Sequence, residues 1–154
     1  MKNKKVFITG ATGGIGEAIC NKFYQKEYNL VLTSSSDEKL LSLKKKYGEN
    51  NSYYKIDISD FESIDRCMSQ ITTDHKDLTT IINNAGITSD NLLLRMRNDQ
   101  WSKVIQTNLN SNYQIIKSLL PNMLSKKYGK IIGISSIVGS QLQKKFTVFW
   151  IANR

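Results

Sequence analysis

Thr9-Gly10-Ala11-Thr12-Gly13-Gly14-Ile15-Gly16 follows the apolar segment Val6-Phe7-Ile8 and runs into Glu17-Ala18-Ile19-Cys20. The pattern is a buried strand, a glycine-rich turn and the opening of a helix. Glycine adopts positive φ at little steric cost and lets an anion approach the main chain. The helix start adds unpaired N–H groups and the positive end of the helix dipole. The turn therefore reads as a phosphate cradle of the kind that takes a dinucleotide pyrophosphate. Its spacing is Gly-x-x-x-Gly-x-Gly, not the Gly-x-Gly-x-x-Gly of the standard dinucleotide fingerprint, and a turn whose glycines serve only tight packing is the alternative reading.

Outward from this turn, apolar runs alternate with helical patterns. Periodicity predicts strands over 6–9, 29–33, 53–56, 78–82 and 130–134. Helices are predicted over 14–26, 37–47 and 60–73, with a long one over 101–126 interrupted near Pro121. Leu40, Leu41 and Leu43 are assigned to the apolar side of the second helix, and Phe61, Ile64, Met68 and Ile71 to that of the third. Alternating units of this kind imply an α/β architecture, a parallel sheet with helices on both faces, because parallel crossovers cannot be made by tight hairpins. In such sheets ligands bind at the carboxyl ends of the strands where the winding reverses, which is beside the glycine turn.

The 154 residues suit one domain, and 40% hydrophobic with 23% charged residues is ordinary for a globular protein. No run approaches the roughly eighteen apolar residues of a membrane helix. Met1-Lys2-Asn3-Lys4-Lys5 leads into the first strand without a signal-peptide core, so a cytoplasmic location is the expectation. Cys20 and Cys67 lie far apart without a Cys-x-x-Cys pattern and His75 is the sole histidine, so neither a metal site nor a disulfide is expected. The net charge of +9 is mostly lysine, spread through Lys44-Lys45-Lys46, Lys126-Lys127 and Lys144-Lys145. No aromatic-interleaved stripe accompanies it, which favours solvated faces over nucleic acid.

Further motifs follow in order: Asn83-Asn84-Ala85-Gly86 after the fourth strand, Asn108 in the long helix, and Ser135-Ser136 at the end of the fifth strand. Together with Thr9-Gly10-x-x-x-Gly14-x-Gly16 they resemble the short-chain dehydrogenase/reductase family over residues 1–140. The stretch from Asn83 to Met96, with Trp101 and Thr107-Asn108-Leu109, is similar to the branch of that family that reduces 3-oxoacyl groups on acyl-carrier protein. The resemblance implies a Rossmann-type, doubly wound, three-layer α/β/α sheet, incomplete after strand five. It makes residues 1–140 an NAD(P)-binding domain and 141–154 a tail unlike the family. It also implies a homo-oligomer, with no nucleic acid or membrane partner.

By the same resemblance Gly10, Thr12, Gly14 and Gly16 surround the pyrophosphate, Ile15 the nicotinamide ribose, Asp57 and Ile58 the adenine, and Asn83, Ala85 and Gly86 the adjoining ribose. A carboxylate after the second strand would accept from a ribose 2′-OH and repel a 2′-phosphate. Here that segment is Thr33-Ser34-Ser35-Ser36, which favours NADP(H) over NAD(H), although Gly13 stands where relatives using NADP often carry Arg or Lys.

Hydride delivered to a carbonyl leaves an alkoxide, so an acid must supply a proton and donors must stabilise the oxygen. The resemblance gives Ser136 the carbonyl oxygen, gives Asn108 a lysine held through water, and makes a tyrosine of a Tyr-x-x-x-Lys pair the acid. That pair should follow Ser136 by thirteen residues, where Phe149 and Asn153 stand. The one Tyr-x-x-x-Lys in the chain is Tyr113 to Lys117, ahead of Ser136 on a helix face expected to pack or meet solvent. The expectation is a truncated, inactive form of an NADPH-dependent 3-oxoacyl-[acyl-carrier-protein] reductase. The alternatives are a non-catalytic NADP-binding or interaction protein, and an enzyme that uses Tyr113 as its acid. Lys126, Lys127 and Lys130 are the expected meeting point for the acidic carrier protein, and Ile131, Ile132 and Ile134 are expected on an exposed edge strand.

Overall fold

The computed structural model describes residues 4–89 and 91–135. Five parallel strands, β1 (Lys5–Ile8), β2 (Asn29–Ser34), β3 (Ser52–Lys55), β4 (Thr80–Asn83) and β5 (Lys130–Gly133), lie in the order β3-β2-β1-β4-β5. The helices are α1 (Gly14–Tyr24), α2 (Asp37–Tyr47), α3 (Phe61–Asp74), α4 (Asn98–Ile105) and α5 (Ser111–Lys126). The winding reverses at β1, which pairs with β2 on one side and β4 on the other.

Strand alternation splits the core into two layers, since successive side chains point to opposite faces of a sheet. Val6, Ile8, Leu30, Leu32 and Ile82 meet Cys20, Leu43 and Tyr47 of α1 and α2. Phe7, Val31 and Ile81 meet Ile64, Met68 and Ile71 of α3 and Ile115, Leu119 and Met123 of α5. Both cysteine thiols are buried, which pushes Cys20 up to about 12 and Cys67 up to about 11. Among the described residues no helix is long and apolar enough to cross a membrane.

Side-chain chemistry sets the helix starts. Asp60 accepts from the backbone N–H of Glu62 and Ser63 to cap α3, and Ser36 accepts from Lys39 N at 3.4 Å to cap α2. Leu41 and Phe61 depart from their assigned faces: they are 60% and 48% exposed. Leu41 sits between the inward Leu40 and Leu43 and turns away from the sheet, while Phe61 occupies the first turn of α3, at the rim of that layer.

The long helix is corrected in both start and break. It begins at Asn98, and Pro121 lies inside α5 without ending it. A proline removes one N–H bond, and Leu119 and Met123 on either side of it are buried in the core. The interruption is a π-helical stretch, Gln106–Asn110, between α4 and α5. Polar side chains take its carbonyls: Ser111 Oγ donates to Thr107 O at 2.5 Å and Asn112 Nδ2 to Asn108 O at 2.7 Å. β5 is the edge strand, with Ile131 46% and Ile132 41% exposed, whereas Ile134 packs against the α1/α2 layer.

Candidate functional site

A cleft of about 710 Å³ opens at the carboxyl end of the sheet, at the point where the winding reverses. Its walls are the β1–α1 turn, Thr33 to Ser35 of β2 and its end, Ile56 to Ser59 after β3, Asn84 to Ile87 after β4, and the side chains of Lys39, Lys103 and Thr107.

The glycines of the turn do different work. Gly10 has φ +65, the left-handed region, and its carbonyl accepts from Gly13 N at 3.2 Å. A Cβ on Gly16 would lie 2.0 Å from Gly10 O, so α1 crosses the turn at a distance only glycine permits. A Cβ on Gly14 would meet nothing within 4 Å, and that residue lines the cleft. Gly14 thus leaves an open, backbone-walled space at the start of α1.

The turn is stitched to the loop after β4. Thr9 Oγ1 accepts from Asn84 N and Ala85 N, both at 3.0 Å, and Asn84 Nδ2 donates to Thr9 O and Gly10 O, both at 3.0 Å. That amide satisfies two backbone carbonyls that would otherwise be left short of donors. On the next loop, Asn108 Oδ1 accepts from Ile87 N and Asn108 Nδ2 donates to Ile87 O, each at 2.9 Å. Asn108 is buried in the π-helical stretch, so its side chain clamps the cleft loop to the helix. Asp57 Oδ1 accepts from Ser59 Oγ at 2.7 Å and Ser59 N at 2.9 Å. These bonds, with the charge of Lys103, hold its carboxyl below the usual range despite partial burial.

Nine of the ten residues read from the sequence as cofactor-binding line the cleft: Gly10, Thr12, Gly14, Ile15, Gly16, Asp57, Ile58, Ala85 and Gly86. Asn83 does not; it is buried on β4 and its backbone O accepts from Ile134 N at 2.8 Å. Ser136, Phe149 and Asn153 lie outside the described residues. Tyr113 is 65% exposed with Lys117 Nζ 5.6 Å from its ring centroid, and neither residue lines the cleft. Sequence reading missed Thr9 and Asn84 as the stitch, and Lys39, Lys103 and Thr107 as cleft wall. Lys39 had a signal, since it follows the serine run by three residues at the start of a predicted helix. Lys103 had none, because nothing local shows which way α4 faces.

A parallel sheet ordered β3-β2-β1-β4-β5 with a glycine turn at its switch point is the architecture of a dinucleotide-binding α/β protein. The profile of the short chain dehydrogenase family matches residues 4–150, and the chain belongs to that family. It is 38% identical over 140 residues to the 3-oxoacyl-[acyl-carrier-protein] reductase FabG of Haemophilus influenzae, covering 91% of this chain and 58% of the relative. FabG of Vibrio harveyi is 34% identical, with 91% and 57% covered. The chain thus spans little more than half the length of these curated relatives. Among solved structures, a metagenomic short-chain oxidoreductase in complex with NADP superposes with TM-score 0.90 at 26% identity, covering 98% of this chain and 70% of that one. ElxO with NADP bound gives 0.89 at 30% identity, covering 98% and 62%.

Proposed function

We propose that the cleft holds NADP(H) and that the chain carries the cofactor half of a 3-oxoacyl-[acyl-carrier-protein] reductase without its proton donor. The observation that carries the reading is the open side of Gly14, walled by backbone and facing the cleft. A pyrophosphate there meets helix N–H groups without displacing a side chain. Thr107 Oγ1, buried in the cleft wall without a hydrogen-bond partner, is a polar atom left over for a ligand. When bound, the nicotinamide would supply or accept a hydride. Asp57, kept ionised by Ser59, accepts from an adenine amino group, and Ile15, 63% exposed, offers an apolar surface to the nicotinamide end.

The 3-oxoacyl substrate and the acidic carrier protein come to this chain from its likeness to FabG, and so do the oligomer and the cytoplasmic location. Lys126, Lys127 and Lys130 at the end of α5 and the start of β5 are all exposed and positively charged, as a meeting surface for the carrier requires. Ser136 takes the carbonyl oxygen in this reading, and Asn108 braces the loop beside it. The acid is another matter. Phe149 has no proton to give and Asn153 no charge, and a general acid alone contributes about 10² to 10⁴-fold.

Binding without turnover is the expected result. Oxidation of NADPH with a 3-oxoacyl thioester should run at least about a hundredfold below an intact reductase assayed alongside, and Tyr113→Phe should leave that background unchanged. Turnover within a hundredfold of the reductase would overturn the inactive assignment, and its selective loss in Tyr113→Phe would make Tyr113 the acid.

A further inference from the structure

The cleft wall carries three charged side chains, Lys39, Asp57 and Lys103, on different elements. Asp57 is turned onto Ser59, and Lys103 acts on Asp57 from α4. Lys39 stands apart from both. It sits in the first turn of α2, beside Ser34 and Ser35, exposed and with no ion pair among the described residues.

The surroundings of Lys39 are cleared of competing negative charge. Asp37, two residues earlier, pairs with Lys55 Nζ on β3. Ser36 is committed to the helix cap, accepting from Lys39 N, and Ser34 Oγ accepts from Ser36 N at 3.5 Å. The Ser34 and Ser35 hydroxyl protons remain available toward the cleft. Position matters as much as charge. With the pyrophosphate on the β1 turn and the adenine at Asp57 and Ile58 after β3, the adenosine ribose lies over the end of β2, where Lys39 and the serines stand.

We infer that Lys39 is the specificity-determining residue for a 2′-phosphorylated adenosine, its ammonium meeting the 2′-phosphate while Ser34 and Ser35 donate to the same oxygens. This rests on the dinucleotide reading above and adds the source of the discrimination. The cation comes from α2, which compensates for Gly13, a residue without charge in the glycine turn. A lysine acts there as a point charge on a flexible stem, so the contact is sensitive to ionic strength.

The test is calorimetric titration of the full chain with NADP, NAD, 2′,5′-ADP and 5′-AMP at low salt and at high salt. Lys39→Met should lower affinity for NADP and 2′,5′-ADP about tenfold and leave NAD and 5′-AMP unchanged. Lys39→Arg should retain the preference, because it keeps the charge. Lys103→Met should shift all four ligands together, since it faces the adenine side. The salt dependence of NADP binding should shrink in Lys39→Met. An unchanged NADP to NAD ratio in Lys39→Met overturns the inference while leaving the cofactor reading intact. A ratio that falls only in Lys103→Met overturns it in favour of Lys103. If the folded, unsubstituted chain binds none of the four, the cofactor reading fails and the role of Lys39 falls with it.

Discussion

Gly14 and Gly16 are two residues apart and separate two properties, packing and ligand space. At Gly16 an added methyl would sit 2.0 Å from Gly10 O, so α1 or the turn must move. Gly16→Ala should therefore cost about 2 kcal/mol or more, at the upper end of overpacking penalties, read as a lowered urea midpoint. Gly14→Ala meets open space and should leave the midpoint unchanged or slightly raised, because alanine costs less backbone entropy than glycine. Equal losses in the two variants would contradict this division. The sequence showed that the turn needs glycines, but not which one spaces the backbone and which one faces the ligand. That distinction depends on where Gly10 O and Ala85 end up, 75 residues apart along the chain, held together by Asn84. A doubled asparagine carries no local sign that its amide will bridge two carbonyls across strands.

Among the elements, those with strong periodicity were legible. The bounds read for α2 match the structure, because Ser36 announces its start and Gly48, with φ +81, closes it. The π-helical stretch was not legible, since its cause is the engagement of Asn108 with Ile87, a tertiary contact. The end of α3 carries a consequence for pH. Tyr54 OH donates to Asp74 Oδ2 at 2.8 Å and lies 2.9 Å from His75 Nε2, so the network assigns the proton of neutral His75 to Nε2. Nδ1 is buried with no partner, and a second proton there would be stranded. Burial, with Lys5 nearby, accordingly holds His75 below its ordinary value, against the opposite pull of Asp74 and Asp77. In the unfolded chain His75 binds its proton near pH 6.5, so between that pH and its lower folded value the unfolded state holds more protons. Its contribution to stability is full above about pH 6.5 and declines as pH falls through the folded value. Asp57, Asp77 and Asp99, all lowered, lose their contributions in a more acid range. Urea unfolding between pH 7 and pH 5 should show a fall in stability that His75→Gln abolishes; the same slope in the variant would refute the assignment.

For the whole molecule, the alternation of strands and helices gave the layers, and the fixed hand of parallel crossovers limited the topologies before any coordinates. The chemistry was less complete. Ser136 and the divergent positions Phe149 and Asn153 lie outside the described residues, so the case for binding without turnover stands on residue type alone. The cofactor cleft is different, because every wall of it belongs to the described part of the chain: the β1 turn, the ends of β2 and β3, the loop after β4 and the helices α2 and α4. Its phosphate contacts come from backbone and ask only that these neighbours fold. The most direct test is calorimetry of NADPH against the soluble, folded chain and against its Gly14→Val variant, with circular dichroism to establish that both are folded. The account predicts one NADPH per chain, tighter than NADH, with binding lost in Gly14→Val and kept in Ser136→Ala. Folded chain that binds neither dinucleotide, or a Gly14→Val variant that binds NADPH as well as the unsubstituted chain, would contradict it.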